Sequence, residues 1–580
     1  AAVVATYLLL APDSAPTAKP TRRAGCVKLE VSASSEKAAL MSEFAERYNR
    51  SGRTANGHCY DVAVHSKASG GAAEALARGW NEARDGAPVP DVWSPASSSW
   101  PVLLQQRLAI VDHPALIPAG KLPSIAQTPL VIAMPRPMAQ ALGWPKKPLG
   151  WSDVLGLTTN VKGWGAFGHP EWGRFKLGKT NPNFSTSGLS ATVGTYFAAT
   201  GRSSDLSLDD VSNPKVASFV KGVESGVVHY GDTTLTFLSN LAAAEAKGEG
   251  LTYISAVAVE EKSVYDYNQG NPTGDPKLFG KGHKPGIPLV AIYPKEGTLL
   301  SDNPYVMLST IRAEKKAGAE DFLAFLRASA QQKRFQQLAF RGYQGKVGPA
   351  ATEKNGILPG ARFTVIDPPA PPVLQKVADS WSSLRKRARV LLVLDVSGSM
   401  QSSVGGGRSK LDLAKQAALS SLDQFAPDDE VGLWTFSTGA TLADQPWTAQ
   451  VPIAAVKDNK AALRRVIAGL AAEGGTALYR TTRDAQRTML AQFNPARINA
   501  VVLLTDGKNE FPPDEDLGSL VEQLRGESPD TSVRVFPIAY GEQADLPTLK
   551  RLAEASQAAA YDASDPASID KVLTAVISNF

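Results

Sequence analysis

RVLLVLDVSGSM, residues 389–400, decides the reading of this chain. Val390 to Leu394 are five aliphatic residues in a row with no polar face between them. That is the composition of a strand covered on both sides in a parallel sheet. Where the run ends, Asp395, Ser397 and Ser399 follow at alternate positions. In a turn, this spacing points three oxygen-bearing side chains into one crevice. One carboxylate and two hydroxyls are hard ligands, suited to magnesium, manganese or calcium.

Downstream, apolar strand-like and amphipathic helix-like stretches alternate to the end of the chain: LDLAKQAALSSLDQFA, VGLWTFS, AALRRVIAGLA, TTRDAQRTMLAQF, NAVVLLTDG, DLGSLVEQLRG, VRVFPIAYG, LPTLKRLAEAS and ASIDKVLTAVISNF. This order predicts a doubly wound α/β domain of about 190 residues. Two of its loops carry further oxygens to the sheet edge where Asp395 lies. Thr476 follows the pair Gly474-Gly475, and Asp506 ends the buried strand of LLTDG. Five such side chains do not close an octahedral shell when the second aspartate acts through water, so one position stays open to an outside ligand.

With DVSGS, the Thr of GGT and the Asp of LLTDG all present, in order and about 80 and 30 residues apart, the stretch from about Arg389 to Phe580 resembles the von Willebrand factor A family and its metal-ion-dependent adhesion site. The resemblance implies that Ser397, Ser399 and Thr476 bind the ion directly, Asp395 and Asp506 largely through water. A partner's Asp or Glu would complete the shell. Rival motifs fail. GGGRSK at 405–410 lacks the P-loop spacing and reads as a flexible lip beside the metal. Neither DVSGS nor STSGL is GxSxG, and the six His form no HExxH. No base is paired with a nucleophile, so the chain reads as a non-enzyme.

Upstream, VKLEVSAS followed by EKAALMSEFAERYNR gives strand, polar turn and helix, and the pattern recurs at PDVWSPASSSWPVLLQQ and PLVIAMPRPMAQALG. Further strands are predicted at LTYISAVAV and IPLVAIYP, and EDFLAFLRASAQQKRFQQLAF reads as one long amphipathic helix. Polar turns after strands, at Ser34-Ser35, Ser97-Ser98-Ser99 and Asn183 to Ser187, offer hydroxyls and helix N-terminal N–H groups to an oxyanion, or simply cap their helices. From about Val27 to Phe363, VSASSEKAALM, PDVWSPASSSW, PLVIAMPRPMA, NPNFSTSGLSATVGTYFAA and PGIPLVAIYP resemble a type 2 periplasmic binding protein of the sulfate/molybdate-binding sort. That resemblance implies two lobes closing on a small solute. The stretch AVEEKSVYDYN brings Glu260 and Glu261 near the expected cleft, which argues against a plain oxyanion. The candidate cleft residues are Ser34, Ser35, Ser97, Ser98, Ser187 and Glu261.

The remaining features bound the setting. At 580 residues, 43% hydrophobic and 20% charged, the composition is that of ordinary soluble globular domains, which sets aside disorder, collagen and an all-membrane protein. The net charge of +5 conceals an uneven spread. From Arg387 onward there are 19 Lys and Arg against 24 Asp and Glu, and the front carries a basic surplus of ten. An acidic back suits cation retention and a basic front an anionic ligand or surface, unless these are two solvated surfaces of differing composition. Cys26 and Cys59, the only cysteines, read as one disulfide in an oxidising compartment, the alternative being two buried thiols. AAVVATYLLLA at the start is too short to span a bilayer, which needs about 20 residues, and reads as a signal or anchor remnant before a Pro-rich tether. Arg23-Ala24-Gly25-Cys26 fits a lipoprotein site poorly, with Arg before it, so Cys26 is taken as structural.

The expected organisation is a remnant and tether at 1–25, a solute-binding-like domain at 26–365 with its second lobe at about 115–285, a Pro-rich linker at 366–386 and an A-type domain at 387–580. DPPAPPVLQ, from Asp367 to Gln375, has four prolines in nine residues and is expected to join no regular element, with a short helix KVADSWSSLRKRA leading out of it. The function expected is non-enzymatic binding outside the cell or in the envelope, anchored at the N-terminus. A protein or polymer carboxylate would meet the A-domain magnesium, manganese or calcium, and a small solute the front cleft, with no nucleic acid involved. The alternative is a transport receptor that hands solute to a permease and uses the A-type domain for docking.

Overall fold

The computed structural model describes residues 25–231, 233–439, 445–526, 528 and 530–580, so the expected N-terminal remnant and tether lie outside the described residues apart from Gly25. The chain forms two compact units. Among described residues the first takes in 25–168, 175–226 and 233–384, and the second 169–174, 227–231 and 385–580. The class is α/β throughout: a two-lobed solute-binding-type fold, then a doubly wound A-type domain.

In the first unit, the strand Val27–Ala33 lies parallel to His58–Ser66 on one side and to Val92–Ser94 on the other, and the short strand Val306–Met307 adds antiparallel at the edge. The helix Ser35–Arg50 packs Met41, Phe44 and Tyr48 against this sheet, where they meet Phe322 and Phe335. A second sheet is built around the ten-residue strand Ala126–Pro135. Leu300–Ser301 pairs with it on one side and Ala256–Glu260 on the other, and Leu177–Thr180 lies beyond. Close packing of the second lobe depends on Gly188, on the helix Thr186–Thr200, because a Cβ there would come within 2.2 Å of the Thr180 carbonyl oxygen.

Three expectations need correction here. LTYI does not extend the strand of LTYISAVAV: Gly250–Tyr253 is a helical turn that buries Tyr253, and the strand starts at Ala256. The long closing helix is two, Ala313–Arg327 and Ser329–Gln337, broken where Ala328 is extended. Gln332 Nε2 donates to the Leu326 carbonyl at 2.9 Å, satisfying an acceptor that the break leaves free. The Pro-rich stretch does join a regular element. The helix Pro371–Leu384 opens with two prolines, which the first turn of a helix tolerates because its N–H groups have no intrahelical acceptor. It buries Val373, Leu374, Val377 and Ala378 in the same core as Trp100, Tyr196 and Phe197.

In the second unit the strand order is Trp447–Ala455, Glu430–Phe436, Arg387–Asp395, Arg497–Thr505, Arg534–Tyr540 and Tyr561–Ala563. All neighbours are parallel except the first pair. The two outer strands, 447–455 and 561–563, have no counterpart in the sequence reading. Arg387–Asp395 is central, and its first crossover runs to one side while the later strands stack on the other. The crevice outside the carboxyl ends of Arg387–Asp395 and Arg497–Thr505 is therefore a topological switch point, where open α/β sheets bind ligands. Leu391, Val393, Val501 and Leu503 fill the core on one face with Leu478, Ala485 and Met489.

Candidate metal centre and solute cleft

At the switch point the strands deliver Asp395 and Asp506, and the turns after them deliver the hydroxyls. The Ser397 and Ser399 Oγ atoms lie 3.0 Å apart. The Thr476 hydroxyl donates to Ser397 Oγ at 3.3 Å, and the Ser399 hydroxyl to Asp506 Oδ1 at 2.6 Å. The Thr476 loop is brought in by Gly474, at φ +73°, whose Cβ position lies 2.4 Å from the Gly439 nitrogen, so only glycine fits. The Gly398 N–H then donates to the Gly474 carbonyl at 2.7 Å, fastening the two loops together.

Asp395 stands behind this set. Its Oδ1 accepts the Ser397 N–H at 2.8 Å and its Oδ2 the Thr505 hydroxyl at 2.6 Å. Burial pushes its carboxyl up to about 6, against the hydrogen bonds from Ser397 and Thr505 that favour the ionised form, and the Asp506 charge adds to the rise. Asp506 is fully buried and its second oxygen, Oδ2, accepts from Lys410 Nζ at 2.8 Å. Lys410 corrects the reading of GGGRSK as a lip. Gly405 to Gly407 do run at positive φ, but the lysine side chain is only 10% exposed and is a charge partner of the site. Glu510 was also missed. Its carboxylate accepts the Thr476 N–H at 3.2 Å, and its own N–H donates to the Thr476 carbonyl at 2.7 Å.

The set opens into a cleft of about 740 Å³ lined by Ser397, Ser399, Thr476 and Asp506, with Lys508, Glu510, Glu542 and Asp545 also along its walls. In an octahedral shell with metal–oxygen bonds of about 2.1 Å, adjacent oxygens lie about 3 Å apart. The three contacts that link the hydroxyls and Asp506 Oδ1 span 2.6 to 3.3 Å, so the donor set fits a small hard cation. It does not fit a His- or Cys-bound metal. Among the described residues no group of three or more His, Cys, Asp or Glu is gathered as a metal site.

In the front unit, the candidate serines divide between the lobes. Ser34 and Ser35 follow the strand Val27–Ala33, and Ser97 and Ser98 follow the neighbouring strand Val92–Ser94, so four of them share one sheet edge. The Ser34 N–H donates to the Ser94 carbonyl, and the Ser97 and Ser99 hydroxyls bond each other at 3.2 Å. The Ser98 N–H and hydroxyl both go to the Asp302 carboxylate. A protein carboxylate thus takes the two Ser98 donors that were expected to await an oxyanion. Ser187 belongs to the other lobe, in a buried hydroxyl cluster with Thr180 at 3.0 Å, Ser185 at 3.1 Å and Thr234 at 2.9 Å.

Glu261 is corrected as a cleft residue. Arg341 grips its carboxylate with two bonds, at 3.0 and 2.7 Å, and the Tyr293 hydroxyl donates to it as well, leaving it as an internal anchor. The residue before it has the opposite standing. Glu260 is 3% exposed, and no other residue donates a hydrogen bond to either of its carboxylate oxygens. Lys37, equally buried, was missed. Its Nζ donates to Ser34 Oγ at 3.1 Å, the Pro95 carbonyl at 2.8 Å and Asn303 Oδ1 at 3.0 Å. Burial lowers its ammonium to about 7, opposed by the charges of Glu36, Asp302 and Glu260.

Cys26 and Cys59 are joined in a disulfide. The register Val27↔Tyr60 places them side by side at the start of two parallel strands. Among the described residues no helix is long and apolar enough to cross a membrane.

Comparison with known proteins agrees with this division. A family model described as bacterial extracellular solute-binding protein matches residues 29–341, and one described as von Willebrand factor type A domain matches residues 390–509. An uncharacterised protein of Mycobacterium tuberculosis (strain ATCC 25618 / H37Rv) is 23% identical over 522 residues, 89% of this chain and 71% of that protein. Among solved structures, the sulfate-binding protein SubI from Mycobacterium tuberculosis H37Rv is 14% identical, with a TM-score of 0.34 over 55% of this chain and 87% of its own. A von Willebrand factor type A protein from Catenulispora acidiphila is 24% identical, with a TM-score of 0.28 over 33% of this chain and 42% of its own. The chain belongs to the bacterial extracellular solute-binding proteins, and it carries in addition a von Willebrand factor type A domain.

Proposed function

We propose that this is a non-enzymatic binding protein of the bacterial envelope, which takes up a small solute in its front cleft and engages a protein or polymer carboxylate through a divalent cation at its A-type domain. The observation that carries the reading is the convergence of Ser397, Ser399, Thr476 and Asp506 Oδ1 at the mouth of one cleft. Ser397, Ser399 and Thr476 would hold magnesium or manganese directly, and Asp395 and Asp506 would supply the balancing charge. When bound, the ion supplies an electrophilic centre for an outside carboxylate.

The chain's own residues prepare for this. The hydroxyls are neutral, so they leave the ion's charge to attract an anion. Lys410 offsets one of the two carboxylates. Asp395 fixes the Ser397 turn through its two hydrogen bonds and so sets where the first hydroxyl points. The disulfide supports an oxidising compartment outside the cytosol.

Calorimetry on the full chain tests the reading. Magnesium or manganese binds the wild type and not Asp395→Ala, while circular dichroism shows the sheet intact, since its strands are held by Val390 to Leu394 and Ala500 to Leu504 rather than by the ion. Equal binding by both proteins, or by neither, removes the metal from the proposal.

A further inference from the structure

The first unit contains a buried carboxylate whose burial the fold itself does not explain. Glu260 ends the strand Ala256–Glu260 and stands opposite Leu130 in an antiparallel pair. Ser301 stands opposite Thr128 on the other side of the same central strand. Directly paired residues of an antiparallel sheet project to the same face, as do positions i and i+2 along one strand. Ser301, Thr128, Leu130 and Glu260 therefore project from one face of the second sheet. The Ser301 hydroxyl is buried without a hydrogen-bond partner, and no other residue donates to either oxygen of Glu260.

Burying an ionised carboxylate with no partner is costly, and each unmade hydrogen bond adds to the cost. The neighbouring charges make it worse. Glu36, at the start of the helix Ser35–Arg50, repels Glu260, and Asp302 is a third carboxylate near Lys37. Two lysines oppose them, but both are engaged. Lys262 is ion-paired with Asp266, and Lys37 donates to three protein acceptors. Glu36, Glu260 and Asp302 against Lys37 leave a surplus of negative charge around acceptors that nothing in the protein satisfies. The missing partner has to bring positive charge and N–H donors.

We infer that the front cleft takes a small organic cation, an ammonium or guanidinium compound, whose N–H groups donate to Glu260 and Ser301. This rests on the reading of the cleft as a solute site and names the chemistry of the solute. It runs opposite to an oxyanion site, whose donors on Ser98 are already occupied by Asp302. The upward push on the Glu260 carboxyl, to about 8, from burial and from Glu36, follows from the same missing partner.

The test is a thermal-shift and calorimetric screen of the full chain with L-arginine, agmatine and putrescine in one arm and sulfate, molybdate and phosphate in the other. The expected result is stabilisation by at least one cation and by none of the anions. Glu260→Gln should weaken cation binding by about 100-fold, which is about 2.7 kcal/mol, and should raise the melting temperature of the unliganded protein by removing a buried carboxyl that must otherwise ionise without a partner or take up a proton on folding. Ser301→Ala, a milder change, should weaken the same cation several-fold with the melting temperature unchanged. Stabilisation by an anion and not by a cation overturns the cationic chemistry while the cleft remains a solute site. No response in either arm overturns both. Undiminished cation binding by Glu260→Gln, or a lower unliganded melting temperature, makes Glu260 a structural residue and overturns the inference.

Discussion

Lys410→Met isolates what the lysine does beside the candidate metal centre. The substitution keeps an unbranched apolar stem of similar reach and removes the ammonium, which lies 2.8 Å from Asp506 Oδ2. Two unit charges at that distance attract by about 6 kcal/mol at an effective dielectric of 20. Part of this offsets the desolvation of both groups, and removing one partner of a buried pair costs about 3–5 kcal/mol in practice. Both side chains are at most 10% exposed, so the solvent discount that applies to surface pairs is small here. The helix Lys410–Ser421 should survive, because its N-terminus is capped by Ser409 and the Tyr540 hydroxyl bonds the Lys410 main-chain carbonyl. At about 2–4 °C per kcal/mol for a domain of this size, the A-type transition in chelator should fall by about 6–20 °C. Magnesium should then restore more stability to the variant than it adds to the wild type. The variant presents Asp395 and Asp506 without the offsetting ammonium and should bind the ion at least about tenfold tighter, about 1.4 kcal/mol. Calorimetric melting of the full chain in EDTA and in excess magnesium reads both effects. A variant that melts with the wild type in EDTA, or gains no more than the wild type from magnesium, refutes the argument.

Two further outcomes can be measured on the same protein. Replacing Cys26 and Cys59 by serine opens a loop whose ends are 33 residues apart and should cost about 3–4 kcal/mol in denaturant unfolding of the exported protein, whereas an unchanged midpoint would mean the cross-link adds nothing to its stability. The Glu260 carboxyl, raised from 4.5 to about 8, holds a proton in the folded state that the unfolded chain has released, so its contribution to stability falls as pH rises through that window. Lys37, lowered to about 7, has the opposite sign above that pH, leaving about 4.5 to 7 as the clean interval. There, wild type minus Glu260→Gln should lose stability by up to about 1.4 kcal/mol per pH unit, and a flat difference would show that Glu260 ionises normally among Glu36, Lys37 and Lys262.

How much of this the sequence disclosed depended on how local the determinant was. The sheet of the A-type domain was legible because Val390–Leu394 and Ala500–Leu504 are uninterrupted apolar runs, and Asp395, Ser397 and Ser399 lie within five residues of one another at a strand end. The edge strand Trp447–Ala455 was not, because six of its nine residues, such as Thr448 and Gln450, are polar, small or proline and give no core-facing pattern. Lys410 and Asp506 are 96 residues apart, and nothing in GGGRSK marks its lysine as buried. Of the Glu260-Glu261 doublet, both placed near the expected cleft, Glu261 was the candidate, and it is the one that Arg341 and Tyr293 hold. All five residues of the strand Ala256–Glu260 are buried, so no polar-apolar alternation showed which glutamate would be left without a protein partner. Across the doublet the chain passes from strand to helix, and the two carboxylates meet different neighbours.

The helix Pro371–Leu384 alters where this protein can be divided. By composition the chain changes character at the prolines from Pro368 onward, and a fragment of the solute-binding unit would naturally be ended there. Such a fragment would strip Val373, Leu374, Val377 and Trp381, each no more than 6% exposed, from the unit they help to close. At about 1.5–3 kcal/mol for each large apolar side chain, the loss rivals the whole stability of a typical domain. A fragment that keeps this helix with the core it closes has to run at least through Leu384, and the prolines lie inside it.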